Sequence, residues 1–94
     1  MAALSGIKFL DLSRVLAGPW CAMTLADLGA EVIKVESFAG DDTRGMGPPF
    51  IGEISAYFSC ANRSKRSICI DLHKTESAEL IRALVADADI LIEN

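Results

Sequence analysis

Between two apolar, β-rich runs lies the stretch Val15-Leu16-Ala17-Gly18-Pro19. Proline suits the first turn of a helix, where its missing N–H would have no partner anyway. A helix that opens directly after a strand presents free N–H groups and a dipole that favours anions, and in doubly wound sheets ligands lie beyond the C-terminal ends of the strands. The stretch is not the G-x-G-x-x-G fingerprint of ordinary dinucleotide folds. Its spacing leaves two readings open, a plain tight turn and a ligand-binding loop.

The other chemically capable residues read more blandly. Glu36 ends the second run, where a dinucleotide fold places its ribose-binding acid, but a solvated strand end is the preferred reading. Asn62-Arg63-Ser64-Lys65-Arg66 packs three cations into a turn that could hold phosphates, and charge runs of this kind are more often solvated faces. His73 has no Ser or Cys placed to form a triad and reads as a surface residue. Cys21 falls in the first turn of a helix, where a thiolate is stabilised, yet its spacing with Leu25 and Leu28 makes it a packed core thiol. Asp41-Asp42 could serve as a carboxylate pair, but nothing in the local sequence buries them to separate their pKa values. With one histidine and no close ligand set, a metal site is not expected.

Alternating elements must position these residues. Ile7–Leu12 reads as a buried strand, Pro19–Leu28 as a helix stopped by Gly29, and 31–36 (Glu-Val-Ile-Lys-Val-Glu) as a second strand. Strand, helix and strand in so short a span predict a βαβ unit with parallel strands. From Ser37 to Glu53 glycines and prolines break the pattern. Such a stretch is a functional loop or a solvated connection. The functional reading is preferred because Phe50 and Ile51 give it something to dock with. A short helix over 55–61 and a third strand over 67–71 follow. Thr75 is expected to cap a helix reaching Asp87, with Ile81, Leu84, Val85 and Ala88 inward. A fourth strand covers 89–94. The fold class is therefore α/β, a parallel sheet built from Rossmann-like βαβ units.

Composition sharpens this. The chain has 94 residues, of which 51% are hydrophobic and 23% charged, and its mean hydropathy is +0.33. A chain this short buries only about 60–65% of its unfolded surface, so more polar surface would be expected of a free-standing domain. We therefore expect residues 1–94 to be the N-terminal, incomplete part of a larger domain, an expectation strengthened by the sequence stopping on an apolar parallel strand. The net charge of −4 with a pI near 4.8 argues against nucleic acid as a partner. No apolar run nears the ~20 residues of a membrane span, so no membrane partner is expected. No secretory signal is read at the start, and three cysteines without metal spacing suit reduced thiols in the cytoplasm.

The chain resembles one family along essentially its whole length. Residues 4–20 (Leu-Ser-Gly-Ile-Lys-Phe-Leu-Asp-Leu-Ser-Arg-Val-Leu-Ala-Gly-Pro-Trp) look like the opening of the class III CoA-transferases of CaiB/BaiF type. That family also includes formyl-CoA transferase, carnitine CoA-transferase and α-methylacyl-CoA racemase. The similarity continues through 26–36, Gly40-Asp41-Asp42-Thr43-Arg44, Gly47-Pro48-Pro49-Phe50, 62–68 and 88–94. The resemblance implies a Rossmann-like large domain, an interlocked homodimer, and acyl-CoA with a carboxylic acid acceptor as substrates. It implies no permanently bound cofactor, coenzyme A serving as substrate. Carried over by position, the CoA contacts are Val15 and Leu16 in the first loop and Ser37 after the second strand. Ile70, Leu72 and His73 follow the third strand, and Asn94 the fourth.

The family chemistry is covalent carboxylate catalysis. An Asp attacks the acyl-CoA thioester to give a mixed anhydride and CoA thiolate. The thiolate attacks the aspartyl carbonyl, releases the donor acid and leaves an aspartyl-CoA thioester, from which the acceptor acid takes CoA by the reverse steps. None of Asp11, Asp27, Asp41, Asp42, Asp71, Asp87 or Asp89 matches that nucleophile, so no catalytic residue is assigned. Leu16 stands where formyl-CoA transferase has Gln, which argues against formyl/oxalate chemistry. Ser37 stands near that enzyme's adenine-contacting Arg. The 41–50 loop resembles the dicarboxylate branch, typified by succinyl-CoA–glutarate transferases. The alternatives are a catalytically inactive CoA-binding or subunit-interaction remnant and a racemase-type member.

Overall fold

A computed structural model describes residues 2–94. Its elements, in chain order, are β1 (Lys8–Asp11), α1 (Ala17–Asp27), β2 (Glu31–Glu36), a 3₁₀ turn (Asp42–Gly45), β3 (Phe50–Ile51), β4 (Ile54–Ser55), α2 (Ala56–Ala61), β5 (Arg66–Cys69), α3 (Thr75–Asp87) and β6 (Ile90–Ile92). Four strands form one parallel sheet in the order β5-β2-β1-β6, and β3 and β4 form a small antiparallel hairpin. Counting the parallel strands alone, this is the 3-2-1-4 order of a doubly wound sheet, with the order reversing between β1 and β6.

Side-chain alternation makes the sheet two-sided. Phe9 is in register with Val32 and Leu10 with Ile33. Phe9 and Val32 pack with Ala22, Ala26 and Ala30, beneath α1. Leu10 joins Val35 and Ile70, with Ile33, Ile68, Ile81, Leu84 and Ala88 around them, beneath α3. A sheet covered on both faces needs apolar residues at successive strand positions, which is why β1 and β2 read as nearly continuous hydrophobic runs.

Gly29 ends α1 as expected, with φ +107°. Gly18 has a different role: a Cβ there would collide with the Ser13 side chain, so only glycine lets α1 start this close to the end of β1.

Four expectations are corrected. The inward face of α1 is Gly18, Pro19, Ala22, Met23 and Ala26, while Cys21 and Leu28 are exposed. Small alanines let the helix approach the sheet, and a helix apolar nearly all round carries no stripe from which that face could be read. Val85 is also exposed, unlike Ile81, Leu84 and Ala88. Thr75 is the first residue of α3, and Lys74 holds the cap position with no side-chain cap bond. The helix entry is organised by Asp71, whose carbonyl accepts from the Ser77 hydroxyl and whose carboxylate accepts from the His73 N–H. Finally, the 37–53 stretch contains the 3₁₀ turn and the first strand of the hairpin, on which Phe50 and Ile51 are exposed.

Candidate functional site

The C-terminal ends of β1, β2 and β6 open onto a cavity of about 380 Å³, within the range of small-molecule sites. Leu12, Ser13 and Arg14 line it from the chain just after β1, Val35, Glu36 and Ser37 from the end of β2, and Glu93 and Asn94 from just after β6. Gly40, Asp41 and Leu72 complete the wall. It lies at the reversal of strand order, the place where doubly wound sheets hold ligands.

Of the residues expected to contact CoA, Ser37, Leu72 and Asn94 line this cavity. Val15 and Leu16 directly follow Arg14 and are partly exposed, at 36% and 45%. Ile70 is in the core beneath α3, its N–H donating to the Glu36 carbonyl at 2.9 Å. His73 is exposed in the turn after β5. The Asn94 side chain closes the gap between β6 and the first loop. Its Oδ1 accepts from the Arg14 N–H at 3.1 Å and its Nδ2 donates to the Arg14 carbonyl at 2.9 Å.

Buried charge holds the cavity wall, which corrects several readings. Asp41 is only 2% exposed and is no acid–base partner for Asp42. Its carboxylate accepts from Lys34 Nζ at 2.9 Å, Thr43 Oγ1 at 2.8 Å, the Thr43 N–H at 3.0 Å and the Val15 N–H at 3.3 Å. Lys34 Nζ also donates to the Ser13 carbonyl at 3.0 Å. The basic turn is not a free anion cradle, since each of its cations has an acidic partner. Lys65 pairs with Asp11 at 2.8 Å, Arg63 with Asp27 at 2.6 Å, and Arg66 with Glu31. Lys65 and Asp11 are buried, their side chains 2% and 0% exposed. Asp11 and Lys34 are register partners on β1 and β2. The four side chains thus form two buried ion pairs where the sheet meets its loops.

Glu36 is likewise not a solvated strand end. It is buried and accepts from both Arg44 Nε (2.7 Å) and an Arg44 terminal nitrogen (2.8 Å), from the Ser67 hydroxyl, and from the Asp41 N–H (2.9 Å). Arg44 in turn lies over the Phe58 ring, 3.9 Å from its centroid. Burial pushes the Glu36 carboxyl up, but Arg44, Ser67 and the Asp41 amide outweigh it and bring it from 4.5 down to about 2. A folded pKa below the unfolded one stabilises above the unfolded value and is lost as pH falls through the folded one, here between about pH 4.5 and 2 and worth about 3 kcal/mol. Denaturant titrations of the wild type and Glu36→Gln across this interval should differ in slope by that component. Equal slopes would remove Glu36 from the acid response.

Sequence reasoning missed Arg14, which appears above only within the 4–20 motif. Six cations are ion-paired; Arg14, Lys74 and Arg82 have no acidic partner among the described residues, and of these three Arg14 lines the cavity. The signal was its place, directly after β1 and before the glycine-proline turn.

A parallel sheet in this order, with a crevice at its switch point, defines a Rossmann-like α/β fold. Comparison with known proteins narrows the class. The profile described as CoA-transferase family III matches residues 4–94. Succinyl-CoA:glutarate CoA-transferase of Homo sapiens is 52% identical over 92 residues, 97% of this chain and 21% of its own length. Succinate--glutarate CoA-transferase of Agrobacterium fabrum is 54% identical over 98 residues, 97% of this chain and 24% of its own. A crystal structure of a CAIB/BAIF family protein from Brucella suis superposes with a TM-score of 0.95 at 58% identity, covering 99% of this chain and 26% of that one. The chain belongs to CoA-transferase family III, and it spans about a quarter of the length of the relatives it matches.

Proposed function

We propose that the protein moves CoA between carboxylic acids, with dicarboxylates such as succinate and glutarate as substrates, and that residues 1–94 form part of a domain supplying one wall of the CoA site. The observation that carries this reading is the cavity at the strand-order reversal, with Arg14, a cation lacking an acidic partner among the described residues, on its wall. A guanidinium there meets the phosphates of CoA, and α1 begins three residues further along the chain. Ser37, Leu72 and Asn94 give the cavity hydroxyl, apolar and amide surface. The named succinate–glutarate transferases, each more than 50% identical, support the dicarboxylate assignment.

The acid inventory supports an aspartyl nucleophile outside these residues. Asp11 and Asp41 are held in buried ion pairs, Asp27 and Asp87 pair with Arg63 and Lys8, Asp71 holds the α3 entry, and Asp89 accepts the Lys8 N–H. Only Asp42 has no such role among the described residues. It is exposed and belongs to the 3₁₀ turn. The isolated 94 residues are therefore read as a binder of CoA without turnover, and the whole protein as a dimeric enzyme.

Calorimetric titration of the chain with CoA, followed by a succinyl-CoA and glutarate assay, tests both parts. Binding without turnover is the expected result. Turnover by the 94 residues would overturn the placement of the nucleophile, and calorimetric silence would remove the binding role. Arg14→Gln should weaken CoA binding about tenfold and flatten its salt dependence, as loss of one charge-assisted phosphate contact does. An unchanged affinity would assign the phosphates elsewhere.

A further inference from the structure

Val15 is the one β-branched residue of the described chain with a positive φ, at 75°, where glycine is the comfortable residue. Its side chain is 36% exposed, so core packing does not impose this conformation. Its N–H donates to both oxygens of the Asp41 carboxylate at 3.3 Å, and Asp41 is the only acceptor it has among the described residues. Asp41 itself cannot swing away: Lys34 Nζ holds one oxygen at 2.9 Å, and the Thr43 hydroxyl and amide hold the other at 2.8 and 3.0 Å. Lys34 also takes the Ser13 carbonyl, two residues before Val15. Asp41 and Lys34 therefore hold the β1–α1 turn at two points, the Val15 N–H and the Ser13 carbonyl.

We propose that Asp41 is a positioning residue that, braced by Lys34 and Thr43, clamps Val15 in the left-handed conformation that holds the β1–α1 turn, with Arg14 on the cavity wall directly before it, in its binding shape. The inference rests on the reading of that cavity as the CoA site, and it adds a cause for the shape of its first loop. Strained backbone persists only where its surroundings over-determine it. Without the clamp the turn relaxes to ordinary φ, the binding-competent turn falls to a minor population, and the apparent affinity falls with it.

The test is a cycle of Asp41→Asn and Val15→Gly, singly and together, because glycine adopts the positive φ without help. Asp41→Asn should speed amide exchange at Val15 and weaken CoA binding, each by about tenfold, the size expected when a strained residue loses its support. Adding Val15→Gly to Asp41→Asn should recover most of the lost affinity and raise the denaturant midpoint more than Val15→Gly does in the wild type. Additive effects in the cycle, or Val15 exchange unchanged by Asp41→Asn, would overturn the clamp. If Asp41→Asn does not fold, Thr43→Val removes a single brace from the carboxylate and should shift the same readouts in the same directions. Should the wild type bind no CoA, the proposed function falls, while exchange at Val15 and the stability cycle still decide the clamp.

Discussion

Replacing Lys65 by methionine lowers the unfolding free energy by about 3–5 kcal/mol, the usual cost of leaving one partner of a buried ion pair alone. Asp11 is then left with only the Ser13 amide and hydroxyl, while its own side chain stays fully buried. Lys65 also gives up its bond to Asn62 Oδ1, at 2.7 Å. Burial pushes the Lys65 ammonium below its ordinary pKa, and Asp11 opposes that push, so the charged lysine depends on its partner. The double variant Asp11→Asn/Lys65→Met should recover much of the loss, because a neutral pair carries no uncompensated charge. Urea unfolding of the four proteins gives the coupling energy directly. A loss below about 1 kcal/mol in both single variants would mean that the pair behaves as an exposed one.

The Lys34–Asp41 pair is expected to show the second large effect. Lys34→Met should again cost about 3–5 kcal/mol, and the cost should not shrink in high salt. The side chains are 2% and 0% exposed, so counter-ions do not reach them. The exposed pairs give the contrast. Arg66→Ala, breaking a pair with side chains 68% and 47% exposed, should change stability by less than about 1 kcal/mol and only at low ionic strength. Denaturant midpoints at low and high salt separate the two classes. A Lys34→Met effect that vanished with salt would place water around this pair.

The two pairs also explain why the 37–53 stretch and the basic turn could not be read correctly one residue at a time. In the sequence, Asp41-Asp42 and Arg63-Ser64-Lys65-Arg66 are exposed-looking charge in turns. In the fold, Asp41 lies over the end of β2 and Lys65 over the end of β1, and each meets an opposite charge carried by that strand, Lys34 and Asp11 respectively. Nothing local to either segment signals this, since the partners are 7 and 54 residues away. Lys34 did carry a trace: a lysine in the middle of a strand covered on both faces must have a partner.

The sequence by itself determined the order and type of the main elements, the parallel sheet and the family, because hydrophobic periodicity, the glycine stop of α1 and the motif spacing are local in the chain. It also pointed to the strand ends as the site. Tertiary structure alone decided which face of α1 is inside, since a helix apolar on nearly every side has no preferred stripe and the close approach at Gly18 makes the choice. It decided that Ile70 belongs to the core and that Arg14 faces the cavity. It decided, above all, which charges are buried in pairs and which unpaired cation lines the cavity. Charge type can be read from residues, but partnership depends on distances that only the folded chain sets.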